Sequence, residues 1–309
     1  METVERPLLK PWYRLSADGG RSTLRYAGSV LEFEGAAAER FLPHLLPLLD
    51  GTRTVEEVVG ELGEAARPAV EHALSLLRAH DLLTEAVPGG AAAGARRTAE
   101  LLAAVEASGT CAEVHARLAE SAVCVLGEGA VALTAGRLLR AGGAGAVDML
   151  EWTAEPPAEA FVVAAPDAGE VARLDEWNER ALAAGVTWLQ VLPFDGRLAA
   201  VGPVIVPGET ACHACYRLRR DSTISALPDR AGGDYPSAPA LDAVVAGLAA
   251  LAALRWLAGS LADAGVLVAV ELAPELRCTR HYLYRVPRCP ACSPAARGAA
   301  TLPWSSVAA

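Results

Sequence analysis

At 309 residues the chain is long enough for about two domains and a sizeable core. With 52% hydrophobic and 21% charged residues its composition is globular. A net charge of −10 argues against a nucleic-acid binder, which needs a basic face to displace counterions from phosphate.

The N-terminal METVERPLLKPW lacks the apolar run of a signal peptide. The most apolar stretch, Val244–Ala258, is short of a membrane span and contains Arg255. A cytoplasmic protein that stays out of the membrane is therefore expected. That stretch reads as a buried or interface helix, which leaves a homodimer open.

In chain order, residues 10–34 alternate in short segments broken by turn signals at Asp18-Gly19-Gly20 and Ala27-Gly28, the pattern of strands. Three helices are then expected. Ala36–Leu49 ends at Asp50-Gly51. A second starts at Thr54, with Glu57 completing a capping box, and runs to about Leu62. A third covers about Arg67–His80, with Pro68 in its first turn and Val70, Ala73, Leu74 and Leu77 at helical spacing. Three strands and three helices in so short a span predict a small winged-helix-like domain over residues 1–88. The small-residue run from Val87 reads as a linker. Helical stretches at about Thr98–Ala107 and Ala112–Leu118 fill out a connecting segment, 89–119.

From residue 120 strands alternate with helices. Strands are expected at Ala122–Leu126, Ala146–Glu151, Phe161–Ala165 and Thr187–Leu192, with helices at about Val131–Arg140 and Leu174–Ala184. The alternation predicts a parallel α/β sheet over 120–309. Residues 221–240, rich in Gly and Pro, read as a mobile loop that could cross to another subunit.

Seven cysteines are present, and four fall in two CxxC pairs. Cys212 and Cys215 follow the apolar strand Val204–Val206. Cys289 and Cys292 follow a strand expected at Tyr282–Val286. Two residues between cysteines let both thiolates reach one metal, and two such knuckles make the tetrahedral four-sulfur shell of structural zinc. In a cytosolic chain this is the favoured use of paired CxxC motifs. The competing use is a redox dithiol, which normally opens a helix, and neither pair is expected to do so clearly. His213 lies inside the first knuckle and is expected to point to solvent. Cys111, Cys124 and Cys278 show no His/Asp pattern nearby, and Cys124 reads as a buried, inert thiol. Arg217, Arg219, Arg220 and Asp221 read as a solvated turn or a partner contact.

Gly127-Glu128-Gly129 after a strand and before a helix suggests a dinucleotide-type phosphate turn. The signal is weak, since position 132 is Ala rather than a third glycine. Glu151 could address a ribose or be a solvated strand end. Asp167 could serve a metal–phosphate site or cap a helix.

AVCVLGEG, GAVDMLEW, FVVAAPD, VGPVIVPGETACHACYRLRRD and RVPRCPACS together resemble the ubiquitin-activating-type adenylating family, including bacterial ThiF-like proteins. GPVIVPGETACHAC resembles its ocin-ThiF-like branch, the partner proteins of YcaO-type cyclodehydratases in azole-forming peptide biosynthesis. Residues 10–85, with LLPLLDGTRTVEEVVGEL and RAHDLLTE, resemble a PqqD-like leader-peptide recognition element. The resemblance implies a degenerate Rossmann-like ThiF-type domain with a four-cysteine zinc site behind that element. It implies binding of a precursor leader and delivery of its core to a separate YcaO-type enzyme. The leader would add to the edge Ser29–Glu34 (Ser29, Val30, Leu31, Glu32, Phe33, Glu34). It would lie against the third helix through Arg67, Val70, Glu71, Leu74 and Arg78.

The chain departs from active adenylating enzymes where that family places Arg, Gln and Lys for the triphosphate. Here WTAEPPAEA, residues 152–160, has none of them, and the single lysine, Lys10, lies in the other domain. Gly127, Gly129, Glu151 and Asp167 then mark a vestigial nucleotide site, with Arg137, Arg140 and Arg173 as the remaining cations. The alternatives are an enzyme that adenylates a peptide carboxylate and a zinc-ribbon regulatory protein.

Overall fold

The structure is a computed structural model. It describes residues 6–10, 12–18, 21–26, 29–87, 91–106, 109–223, 237–272 and 274–293. The chain divides into two compact units, 1–117 and 118–309.

In the first unit β1 (Pro7–Leu9) precedes a meander of β2 (Arg14–Asp18), β3 (Arg21–Tyr26) and β4 (Ser29–Glu34), in which β4 is an outer strand. Both predicted turns between these strands lie largely outside the described residues. The expected Ala36–Leu49 helix is not continuous. It is α1 (Ala36–Arg40), α2 (Leu42–Leu45) and a 3-10 turn, Leu46–Leu48. Pro43 and Pro47 each fall in the first turn of a new piece, where a missing N–H costs nothing, and neither would fit inside one long helix.

α3 (Val55–Leu62) begins as the sequence predicts. Thr54 Oγ1 accepts from Glu57 N–H at 3.2 Å, and the Glu57 carboxylate accepts from Thr54 N–H at 2.7 Å. α4 (Arg67–Ala79) buries Val70, Ala73, Leu74 and Leu77 in a cluster with Leu24, Leu45, Leu49, Val58 and Val59. β5 (Leu83–Glu85) returns to pair antiparallel with β1. α5 (Ala93–Glu106) starts earlier than predicted, because the alanine-rich end of the linker is good helix former. α6 (Cys111–Glu120) follows. Lys10 is buried, with Nζ 3.2 Å from the Ala104 carbonyl and 2.7 Å from the Asp81 carboxylate.

The second unit is built on a seven-stranded sheet. Its elements are β6 (Ala122–Leu126), α7 (Ala130–Ala141), β7 (Ala146–Leu150), β8 (Phe161–Ala164), α8 (Arg173–Ala184), β9 (Trp188–Leu192), β10 (Leu198–Ile205), α9 (His213–Thr223), α10 (Pro239–Leu257), β11 (Val266–Glu271) and β12 (Arg277–Tyr282). The strand order is β12-β11-β10-β9-β8-β6-β7. β7, β6, β8 and β9 are parallel, as expected, but β10, β11 and β12 add antiparallel.

β8 and β9 are buried along their whole length, the mark of strands covered on both faces. On one face α7 packs against α10, and Phe161 stacks on Trp256 of α10 at 6.1 Å. On the other, Val162, Ala164, Trp188 and Leu192 pack with Leu174, Trp177 and Ala181 of α8 and with the four CxxC cysteines. Trp177 and Trp188 meet edge to face at 6.4 Å, worth about 0.5–1.5 kcal/mol beyond area burial.

The expected loop 221–240 is shorter than predicted. α9 runs to Thr223, α10 starts at Pro239, and 224–236 lie outside the described residues. α10 is long and apolar enough to cross a membrane by length and composition, and here it covers one face of the sheet.

Candidate metal centre and the glycine turn

The two CxxC pairs meet. The four sulfurs lie within 4.8 Å of one another, with Cys212–Cys215 at 3.8 Å, Cys212–Cys289 at 3.7 Å and Cys215–Cys292 at 3.5 Å. A tetrahedral thiolate-bound ion with metal–sulfur bonds of about 2.3 Å requires edges of about 3.8 Å. The cluster therefore has the size and donor set of a four-sulfur metal site.

Cys212, Cys215 and Cys289 are fully buried. Cys215 is the sulfur best prepared to be a thiolate. It accepts from the Cys212 thiol and from Val286 N–H at 3.3 Å, which hold its pKa well below the usual thiol range. Cys212 is pushed up, first by donating to Cys215 and then by burial. A divalent cation would offset half of the charge that four thiolates bring into this core.

The supporting shell differs from the expectation in two ways. Cys212 directly precedes α9, so the first pair does open a helix. His213 does not reach solvent. It is 2% exposed, its Nδ1 lies 2.6 Å from Gln190 Oε1, and its backbone N–H donates to Asn178 Oδ1 at 3.0 Å. Burial, and then the charge of Arg217, lower its pKa to about 3, so it is neutral at physiological pH. Asn178 thus caps from α8 one of the orphan N–H groups that start α9, and Gln190 of β9 locks the imidazole.

The second knuckle follows a connector rather than the predicted Tyr282–Val286 strand, because β12 ends at Tyr282. Arg285 in that connector ties the knuckles together. It donates to Gly208 O at 2.5 Å and to Cys292 O at 2.9 Å. Sequence reading missed Asn178, Gln190 and Arg285; only their contacts identify them. Burial raises the pKa of Cys111 and of Cys124, though Cys124 is half-buried rather than buried as expected, and Cys278 is exposed.

Three of the four predicted nucleotide-site residues converge. Gly127 has φ +126°, and an added Cβ would overlap the Ala165 carbonyl. A Cβ on Gly129 would overlap the Asp167 carboxylate, which therefore lies against the start of α7. An acid there meets the positive end of the helix dipole, the place a phosphate takes in a dinucleotide turn. Glu128 and Glu151 are exposed.

The cations near this half of the sheet are bound to the chain's own oxygens. Arg140 donates to Val147 O at 2.5 Å, Arg137 to Thr134 Oγ1 at 3.1 Å, and Arg173 lies 3.4 Å from Glu170. Arg180, which the sequence did not single out, pins the 152–154 segment through the Trp152 and Ala154 carbonyls.

In the first unit, Leu31 and Phe33 pack onto the core while Val30, Glu32 and Glu34 are exposed. Val70 and Leu74, predicted to face a peptide, are buried instead. Arg67 is taken up by Glu56 and Glu64 at 2.5–3.1 Å. Glu71 and Arg78 are exposed on α4.

No protein-family model and no curated protein matches the chain. Solved structures do match, and they establish the fold alone: the chain has the fold of MccB and of about two fifths of two heterocyclases. A heterocyclase in complex with substrate and cofactor superimposes with TM-score 0.69 at 22% identity, over 94% of this chain and 40% of that one. The heterocyclase TruD gives 0.67 at 20%, over 94% and 43%. E. coli MccB with AMPCPP and selenomethionine MccA gives 0.63 at 13%, over 93% and 99%. The chain thus spans about two fifths of the length of the heterocyclases and nearly all of MccB.

Proposed function

We propose that the chain captures the leader of a ribosomally made precursor peptide. It presents the attached core to a separate YcaO-type cyclodehydratase that forms azolines. In this reading it is a cytoplasmic scaffold and activator that raises effective concentration and carries out no ATP chemistry of its own. Its four cysteines hold one structural zinc ion. Residues 1–88 form the winged-helix-like leader-recognition element, and 120–309 form the ThiF-like domain.

The observation that carries this reading is the state of the glycine turn. Asp167 sits against Gly129, where its carboxylate would repel a phosphate, and Arg173 is paired with Glu170. A triphosphate of charge about −4 needs free cations to bind and to stabilise transfer. Likeness to two heterocyclases supports a place in peptide heterocycle formation. The match covers about two fifths of their length, and a YcaO-type partner would supply the rest.

A second reading, adenylation of a peptide carboxylate, draws on the likeness to MccB with AMPCPP. Asp167 beside the glycine turn would also suit a magnesium–phosphate site.

Leader capture is tested with the full chain and a fluorescent leader peptide. Saturable binding is expected, weakened about tenfold or more by Val30→Asp with Glu32→Arg, which alter the exposed side of β4. Binding that ignores this pair of substitutions would remove β4 from the account.

A further inference from the structure

β12 is the outer strand of the large sheet and pairs only with β11 among the described residues. One hydrogen bond fixes where its backbone groups point. Leu283 N–H donates to Gly265 O at 2.8 Å, continuing the register that pairs Val266 with Tyr282. Antiparallel residues alternately turn both groups toward the partner strand and both away. Thr279, His281 and Leu283 therefore face β11. Cys278, Arg280 and Tyr282 direct their N–H and C=O groups outward.

The side chains here are as open as the backbone. Every residue of β12 except Thr279 is exposed. Leu276, Tyr282 and Tyr284 are 68%, 67% and 70% exposed. Edge strands are commonly protected by charge alone. Exposed aromatic and aliphatic side chains beside the charges are instead what an interface core uses.

The charge is also local. Residues 277–288 contain Arg277, Arg280, Arg285 and Arg288 and no Asp or Glu, a net +4 in a chain of −10. Arg277 is paired with Glu271 at 2.7 Å. Arg280 and Arg285 donate to carbonyl oxygens, of Ala262 for Arg280 and of Gly208 and Cys292 for Arg285, which orient the guanidinium groups without neutralising them.

We propose that β12 is a docking edge for an extended, acidic segment of a partner protein, added as a further strand. Backbone pairing supplies affinity, and carboxylates opposite Arg280 and its neighbours supply selectivity. A second copy fits less well, since pairing β12 with itself brings two +4 segments together. Residues 294–309 fit less well too, because they contain no Asp or Glu. The surface lies on the α/β unit, so its failure would leave leader capture by the first unit untouched.

Cys278 is the exposed cysteine and lies on the outward edge, so its alkylation by iodoacetamide in the full chain reports occupancy. The probes are a blocked decapeptide of alternating Glu and Val, its Lys/Val counterpart, and a single-stranded oligonucleotide. The Glu/Val peptide is expected to slow alkylation saturably, and Arg280→Glu to weaken that protection about tenfold or more. Equal or stronger protection by the Lys/Val peptide or the oligonucleotide would overturn the proposal, as would no protection by any peptide. So would a Cys278 that is shielded in a dimer, or one that becomes reactive only when the chain is ended after Ser293.

Discussion

The four-cysteine cluster and the glycine turn lie in one α/β unit, and the first knuckle and the glycine turn both follow a largely buried strand, β10 and β6. At the cysteines, shape and chemistry agree. The sulfurs converge at 3.5–3.8 Å, and Asn178, Gln190 and Arg285 hold the knuckles from outside. At the glycine turn the backbone and its packing are what the structure fixes. Gly127 has a left-handed backbone and a close approach to Ala165, and Asp167 lies against Gly129 at the start of α7. Packing alone can hold such a turn, since fold does not fix function.

The largest effect should follow from breaking the cysteine end. Cys289→Ala, or a strong chelator on the native chain, is expected to release about one equivalent of zinc. It should cost on the order of 4 kcal/mol, a Tm loss of about 10 °C, since ligation energy is folding energy. Elemental analysis beside thermal denaturation checks both parts. Full stability in metal-free protein would mean that the cluster is not a metal site.

A smaller effect is expected at the glycine end. Gly127→Ala must place a side chain at φ +126° against the Ala165 carbonyl, for a cost of about 2 kcal/mol. Denaturant titration measures it. A neutral result would mean that the turn is not held by packing, and the contrast between the two sites would lose its basis.

The sequence spoke most clearly where one local rule decides the structure. The Thr54/Glu57 box, the two CxxC pairs and the tight turn at Gly127 each rest on residues a few positions apart. It was least legible where the deciding partner is distant. His213 reads as a solvent residue until Gln190 and Asn178 are brought to it by β9 and α8. β11 and β12 are hard to read for opposite reasons, whereas the end of β10 is legible as the apolar run Val204–Val206. Val266–Glu271 is largely buried and shows no clean alternation, and Arg277–Tyr282 is exposed on both sides and looks like loop. Ala36–Leu49 resembles one helix bounded by Asp50-Gly51, yet Pro43 and Pro47 each start a new piece.

As proposed, this chain binds substrate and leaves ATP chemistry to its partner. The most direct measurement incubates the purified full chain with ATP, magnesium and precursor peptide, and follows both pyrophosphate exchange and phosphate release. Neither is expected above background, with azoline formation appearing only once a YcaO-type partner is added. Pyrophosphate exchange or phosphate release by the chain alone would contradict it and make the glycine turn a working nucleotide site.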